Sequence, residues 1–331
     1  MAIPRRRAVT LASYTGDVSD LLALAVRAEE EGYEDVWFAD TGAPDALTLA
    51  AAVAERTRRV RIGIAVVPVY TRTPAVLAAS AATLAKLAPD RFVLGLGTSS
   101  HTMIENWHGL QLEQPLLRVR ETVQLLREIF SGEKTNFSGK TLRSRGYRQA
   151  PVQVPLYLAA LRPNMLELAA EIGDGVVLNL FPRKALPKIM AHIRAGATRA
   201  GKSPDEVEVV CRYQVMVTDA PDQGRQAVRT FLSGYYATPV YNRYLAWCGY
   251  PEAAAEIATG WQEGNRERTA AALSDELIDD IGIIGDADCC RRRLRECAQA
   301  GIHTHILSCV DLGPQVPGTT LAAFGGSNFL G

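Results

Sequence analysis

The residues with chemistry to offer are scattered singly rather than clustered. The run Arg91-Phe-Val-Leu-Gly-Leu-Gly-Thr-Ser-Ser100 ends an apolar segment in glycines and hydroxyl side chains. Glycines there bare the main chain, and Gly97, Thr98 and Ser99 then present N–H and O–H groups to a flat or phosphorylated ligand. Gly-x-Gly without a third glycine at the right spacing is not a dinucleotide fingerprint. Asp40 follows a second apolar run, Asp35-Val-Trp-Phe-Ala. Tyr14, His101, Glu105 and His108 are the candidate proton donors, and Tyr14 and His101 also stand as candidate substrate contacts with Trp107 and Tyr241. No His, Asp, Glu or Cys set has metal-ligand spacing, so no metal is expected. His303-x-His305 lies at the start of a strand, on its structural side. There is no Gly-x-Ser-x-Gly elbow and no lysine at a strand end for a Schiff base. Such small, apolar and hydroxyl-bearing strand ends suit the holding of a cofactor that brings its own chemistry.

The elements that must position these groups alternate. Apolar strands are predicted at Ala8–Leu11, Asp35–Asp40, Val60–Val67, the glycine-ended run above, Val154–Leu161, Gly175–Leu180, Val207–Thr218 and Ile302–Val310. Amphipathic or alanine-rich helices separate them, with Asp17 or Ser19 as a cap, Pro74 and Pro115 in first turns, and Gly32 and Gly201 as stops. Eight βα units predict one α/β domain over residues 1–331, a (β/α)8 TIM barrel. Two insertions are expected, at about 131–153 after strand four and 235–280 after strand seven. A Gly/Pro/Ser-rich tail over 311–331 is expected to pack loosely. In such a barrel the chemistry sits at the C-terminal strand ends. Those ends carry Ser13 and Tyr14, Asp40 and Thr41, Ile64 to Pro68, Gly97 to Ser99, Ala159 to Arg162, Asn179, Tyr213 and Gln214, and Ser308. Tyr235, Tyr236, Tyr241 and Tyr244 recur at helical spacing and could cover the mouth.

The chain resembles the bacterial luciferase-like superfamily of flavin and deazaflavin oxidoreductases. The resemblance is carried by Glu31-Gly-Tyr-Glu-Asp-Val-Trp-Phe-Ala-Asp40, Gly63-Ile-Ala-Val-Val-Pro-Val-Tyr-Thr-Arg-Thr-Pro74, Arg91 to Gly97, Tyr157-Leu-Ala-Ala-Leu161 and Gly173-Asp-Gly175. Within the superfamily it is similar to the branch using coenzyme F420, including methylenetetrahydromethanopterin reductase and deazaflavin-dependent glucose-6-phosphate dehydrogenase. The resemblance implies that Asp40 lies near the deazaflavin. It implies that Ile64, Ala65 and Val66 form a bulge behind the ring with a non-prolyl cis bond, expected at Ile64–Ala65. Gly97, Thr98 and Ser99 would follow the ring or ribityl chain. Ala159, Ala160 and Leu161 would offer N–H groups to the phosphate, with Asn179 nearby. Thr41 stands where several relatives place a histidine, so sugar-phosphate dehydrogenation is not expected.

The implied activity is F420-dependent hydride transfer to or from a small imine, enone or alcohol. The alternatives are an FMN-dependent monooxygenase and a non-catalytic cofactor-binding paralogue. A homodimer is implied by resemblance alone. The 331 residues carry 36 basic and 36 acidic side chains, so no nucleic-acid partner is expected. No apolar run reaches membrane-span length. The basic run Arg5-Arg6-Arg7 reads as a solvated flank. Six cysteines without a Cys-x-x-Cys pair fit reduced thiols in the cytoplasm.

Overall fold

A computed structural model describes residues 3–11, 17–309 and 318–330. The strands are β1 (Arg6–Leu11), β2 (Asp35–Phe38), β3 (Arg61–Pro68), β4 (Phe92–Gly97), β5 (Asn136–Ser138), β6 (Arg143–Arg145), β7 (Leu156–Ala159), β8 (Gly175–Asn179), β9 (Glu208–Val217), β10 (Ile283–Gly285) and β11 (Thr304–Cys309). Parallel pairing runs β1-β2-β3-β4-β7-β8-β9-β11 and returns to β1, closing the expected barrel. The outer layer begins with α1 (Val18–Glu30), α2 (Ala46–Arg56), α3 (Pro74–Leu87) and α4 (Pro115–Phe130). It continues through α5 (Pro163–Ile172), α6 (Leu186–Arg199) and α7 (Pro221–Ala237), then α8 (Pro239–Trp247), α9 (Pro251–Gln262), α10 (Arg266–Ala271) and α11 (Asp275–Ile281). It ends with α12 (Ala287–Gln299) and α13 (Gly318–Ala323). Local sequence starts several of these: Asp45 accepts from Thr48 N at 2.8 Å ahead of α2, and Thr73 caps α3 with Pro74 in its first turn.

The first insertion is a β5–β6 hairpin laid on α4. The buried Glu121 carboxylate accepts from the N–H groups of Lys140, Thr141 and Leu142 at 2.7, 2.8 and 3.0 Å, fixing the hairpin's tip. A Cβ on Gly139 would lie 2.5 Å from that carboxylate, so glycine is required there. The second insertion, α7 to α11, has its own core of Leu232, Tyr236, Leu245, Ile257, Leu277 and Ile281 and packs on Leu180 and Met216. Strand β10 extends the upper part of β9.

Two expectations need correction. The C-terminal segment does not pack loosely over its described residues 318–330. Phe324 and Leu330 are buried, and the Tyr33 hydroxyl donates to Leu321 O at 2.7 Å. The basic run is not a solvated flank either. The Arg7 guanidinium is buried and donates to Phe324 O at 2.9 Å, Gly326 O at 3.0 Å and Gly32 O at 2.6 Å, with Glu34 as its counter-charge at 2.9 Å. The tail carbonyls thus satisfy a buried cation that would otherwise lack partners. Arg6, one residue earlier, points the other way, to Asp35 at 3.3 Å.

Asp35 belongs to a charged layer that closes the lower end of the barrel interior. Arg61 binds Asp35 at 2.6 Å and Glu208 at 2.6 Å. Thr304 donates to Glu208 at 2.5 Å, the Tyr157 hydroxyl donates to Glu208, and Trp37 Nε1 donates to Asp35 at 3.2 Å. Burial pushes the Glu208 carboxyl up. The hydrogen bonds and charge of Arg61, with Thr304 and Tyr157, outweigh that and bring its pKa down to about 2. A carboxyl lowered from its ordinary 4.5 contributes stability that is complete above that value and lost as pH falls through about 2. Burial pushes the Asp35 carboxyl of the same layer the other way, so the Glu208 share is isolated by comparison: the gap in urea midpoint between the parent and Glu208→Gln should shrink across that window. Arg61→Met leaves two buried carboxylates without their cation and should cost about 3–5 kcal/mol at neutral pH. A variant as stable as the parent would refute this account of the layer.

Candidate functional site

Above the charged layer the barrel is filled by Ala8, Trp37, Val93, Tyr157, Val177, Val210 and Ile306, all buried. Ala65, Val66 and Ala159 pack on top of this fill and are only partly buried, so they form an apolar ledge at the C-terminal mouth. The ledge exists because β3 bulges. Its pairing with β4 passes from Ile64 opposite Leu94 to Val67 opposite Leu96, which inserts one residue. The cis bond lies at Ala65–Val66, one position after the expected Ile64–Ala65.

The glycines of β4 make this bulge possible. A Cβ on Gly95 would fall 1.8 Å from Ile64 O, and one on Gly97 would fall 2.4 Å from Val66 Cγ2. Their expected role was to open the main chain to a ligand. Both are buried, and the space beside Gly97 is taken by Val66, so they shape the ledge instead.

The loops bring further groups to the rim. Asp40 is buried and ion-paired with Arg72 at 2.5 Å, and it accepts from Ala46 N at 3.5 Å. Arg72 also pairs with Asp45, so it fastens the loop after β2 to the loop after β3. The Thr41 hydroxyl beside Asp40 is buried without a hydrogen-bond partner among the described residues. Thr98 and Ser99 are partly exposed, and Ser99 has a left-handed φ of 60°. Leu180, after β8, has a φ of 49° and its carbonyl is held by the Tyr236 hydroxyl at 2.6 Å. Left-handed non-glycine residues at two strand ends are the local strain that tends to gather at functional sites. Ala160 is buried and its N–H is already bonded to Val177 O at 3.1 Å, so it is not free for a phosphate. Leu161 and Arg162 lead directly into α5, whose start has no side-chain cap. Ser13 and Tyr14 lie outside the described residues.

The other expected residues divide. His101 and Glu105 pair at 3.1 Å on an exposed π-helical turn, Thr102–Trp107, that the sequence pattern did not foretell. Trp107 is 59% exposed. Tyr236 and Tyr244 are core residues, whereas Tyr235 and Tyr241 remain partly exposed, ring edge to face at 5.6 Å. Asn179 and Tyr241, far apart in the chain, meet: Asn179 Nδ2 donates to the Tyr241 hydroxyl oxygen at 2.8 Å.

Strand β9 corrects one reading and adds a residue. Tyr213 faces outward, stacked on His305 at 5.7 Å in the layer between barrel and helices. Arg212, not singled out from the sequence, faces inward. It is in register with Asn179 on β8 and Ile306 on β11, and its Nη2 donates to Ser308 Oγ at 3.1 Å. Gln214 pairs in register with Ser308 and faces inward too. The signal was present: a lone charge in the run Val209-Val-Cys-Arg-Tyr-Gln-Val215, on the same alternate face as Glu208 and Val210. The mouth therefore has two unlike walls. One is the ledge of Ala65, Val66 and Ala159. The other is Asn179, Arg212, Gln214 and Ser308, where Asn179 Oδ1, Arg212 Nε and Gln214 Nε2 are buried without hydrogen-bond partners among the described residues. A groove of about 710 Å³ at the opposite end, lined by Arg127, Phe130, Pro151 and Asp174, offers no comparable set. His303 and His305 form no metal cluster, and none occurs among the described residues.

The sequence profile described as luciferase-like monooxygenase matches residues 1–304. The chain belongs to that family. Among luciferase-like relatives it is 28% identical over 294 residues to a 5,10-methylenetetrahydromethanopterin reductase of Archaeoglobus fulgidus, covering 87% of this chain and 88% of the relative. It is 29% identical to a putative coenzyme F420-dependent oxidoreductase of Mycobacterium tuberculosis, covering 84% and 87%. The solved coenzyme F420-dependent tetrahydromethanopterin reductase of Methanopyrus kandleri superposes with a TM-score of 0.83 at 21% identity, over 98% of each chain, a likeness of fold. In this luciferase-like barrel, Gly97→Ala should drive Val66 off the ledge and cost about 1–3 kcal/mol of stability. Thermal denaturation with a crystal structure of the variant checks this; an undisturbed bulge would refute it.

Proposed function

We propose that the chain is a coenzyme F420-dependent oxidoreductase acting on a small organic substrate, an imine or enone reduced or an alcohol oxidised. The observation that carries the reading is the two-walled mouth, an apolar ledge facing hydrogen-bonding atoms that have no partner among the described residues. A flat ring can lie on the ledge while a polar reactant is held across from it.

These residues fit a deazaflavin. Ala65, Val66 and Ala159 would back its ring, and Thr98, Ser99 and the Asp40–Arg72 pair would flank it. Leu161, Arg162 and the start of α5, which no side chain caps, would take its phosphate, since the Arg162 charge and the positive end of the helix dipole favour an anion. When bound, F420 supplies a two-electron hydride couple. The protein's work is to orient the reactants, exclude water and keep a proton at hand. Tyr241 is the group placed for the last task. The Asn179 amide donates to its oxygen, which fixes the ring at the mouth, and the phenol is assigned as the proton carrier. His101, exposed and tied to Glu105, is the alternative donor. A homodimer in the cytoplasm, acting without nucleic acid or membrane, completes the proposal. The six cysteines, none of them in a disulfide among the described residues, support it.

Titration of the apo protein with F420 and with FMN should show F420 as the tighter ligand; tighter binding of FMN would overturn the assignment. With F420 loaded, bleaching or recovery of the deazaflavin absorbance should follow addition of imines, enones or alcohols. Tyr241→Phe should lower turnover by about 10²-fold with F420 affinity unchanged. An unaltered rate would remove Tyr241 from the proton path.

A further inference from the structure

Among the described residues, the arginines of β1 and β3 and of the loop after β3 each meet a carboxylate; Arg212 of β9 does not. Arg61 meets Asp35 and Glu208, Arg72 meets Asp40 and Asp45, and Arg7 meets Glu34 and the tail carbonyls. Arg212 has only the Ser308 hydroxyl among the described residues, and its Nε is buried with no acceptor. A guanidinium has five N–H donors in a planar fork and stays charged at any physiological pH. Partly buried at the mouth, with most of that capacity unused among the described residues, it is set to receive an anion from outside the protein.

Its surroundings narrow the anion. Gln214, 2% exposed, adds a buried and unpartnered amide N–H group on the same face of β9, and Asn179 stands in register on the neighbouring strand. Among the described residues no second cation joins Arg212 on this wall: the other inward groups of β8, β9 and β11 here are Asn179, Gln214 and Ser308. A single positive charge in a planar fork, helped by neutral donors, matches one negative charge shared by two coplanar oxygens. A phosphate of nearly two charges would call for more than one cation.

We infer that Arg212 selects a substrate bearing a carboxylate, held against the polar wall by the guanidinium and the Gln214 amide. The inference rests on the proposed function in placing the substrate at this mouth, and it adds the class: a small organic acid whose reacting carbon lies on the ledge side of its carboxylate. Arg212 is then a specificity-determining residue, with no part in the proton transfer assigned to Tyr241.

The test is binding, read by calorimetry on the apo and the F420-loaded protein. Benzoate, cinnamate and succinate are each compared with the corresponding amide. At least one acid should bind about tenfold more tightly than its amide, and Arg212→Met should erase that preference while leaving F420 affinity within about twofold. Should Arg212→Met not fold, Arg212→Gln carries the same expectation. Three results overturn the inference: no acid outbinds its amide in the wild-type protein; the preference survives loss of the guanidinium; or the substitution weakens F420 by about tenfold, which would give Arg212 to the cofactor. Failure of the wild-type protein to bind F420, with an Arg212-dependent preference for acids intact, would sink the proposed function and leave the carboxylate site standing.

Discussion

The structure hangs on one guanidinium. Arg61, on β3, draws together Asp35 of β2 and Glu208 of β9, and through them Arg6 of β1, Tyr157 of β7 and Thr304 of β11. Removing so many charges from water is costly, and the geometry must be nearly complete to offset it. The consequence is positional. Once the lower end of the barrel is locked by charge, the apolar fill from Ala8 to Ile306 has one height, and the ledge resting on it has one height too. Precision at the mouth thus originates at the end of the barrel that does no chemistry.

The ledge and the wall opposite are made by different means. The ledge is a backbone feature: a bulge in β3, admitted by two glycines of β4 that leave no room for side chains of their own. It tolerates little change, because backbone atoms and Val66 already fill the space. The opposite wall is a side-chain feature, formed by alternate residues of β8, β9 and β11. Its members can change without moving the strands. Under the proposed function, this division would let the holding of a flat carrier stay constant while the reading of a substrate varies.

The long excursion after β9 joins the two. Its own core, Tyr236 and Leu245 among others, holds α8 over the barrel, and Tyr236 anchors the strained Leu180 at the end of β8. That anchoring sets Tyr241 against Asn179, a contact between the insertion and the barrel proper. The excursion after α4 has no such contact with the wall; Glu121 fastens it to the flank.

Much of this was legible in the chain. Period-two and period-3.6 patterns are local, so the eight βα units, the insertions and the strand ends carrying Asp40, Ala65, Gly97, Ala159 and Asn179 could be read directly. Facing was harder. One residue of register exchanges the inside and outside of a strand, and apolar residues on both faces of β9 hid that Arg212 looks inward and Tyr213 outward. Partners far apart in sequence were beyond reach for the same reason that they matter. Only closure of the barrel lays residues 318–330 over Arg7, brings Tyr241 to Asn179 and gathers Asp35, Arg61 and Glu208, because those contacts form between strands and helices whose separation along the chain says nothing of their distance in space.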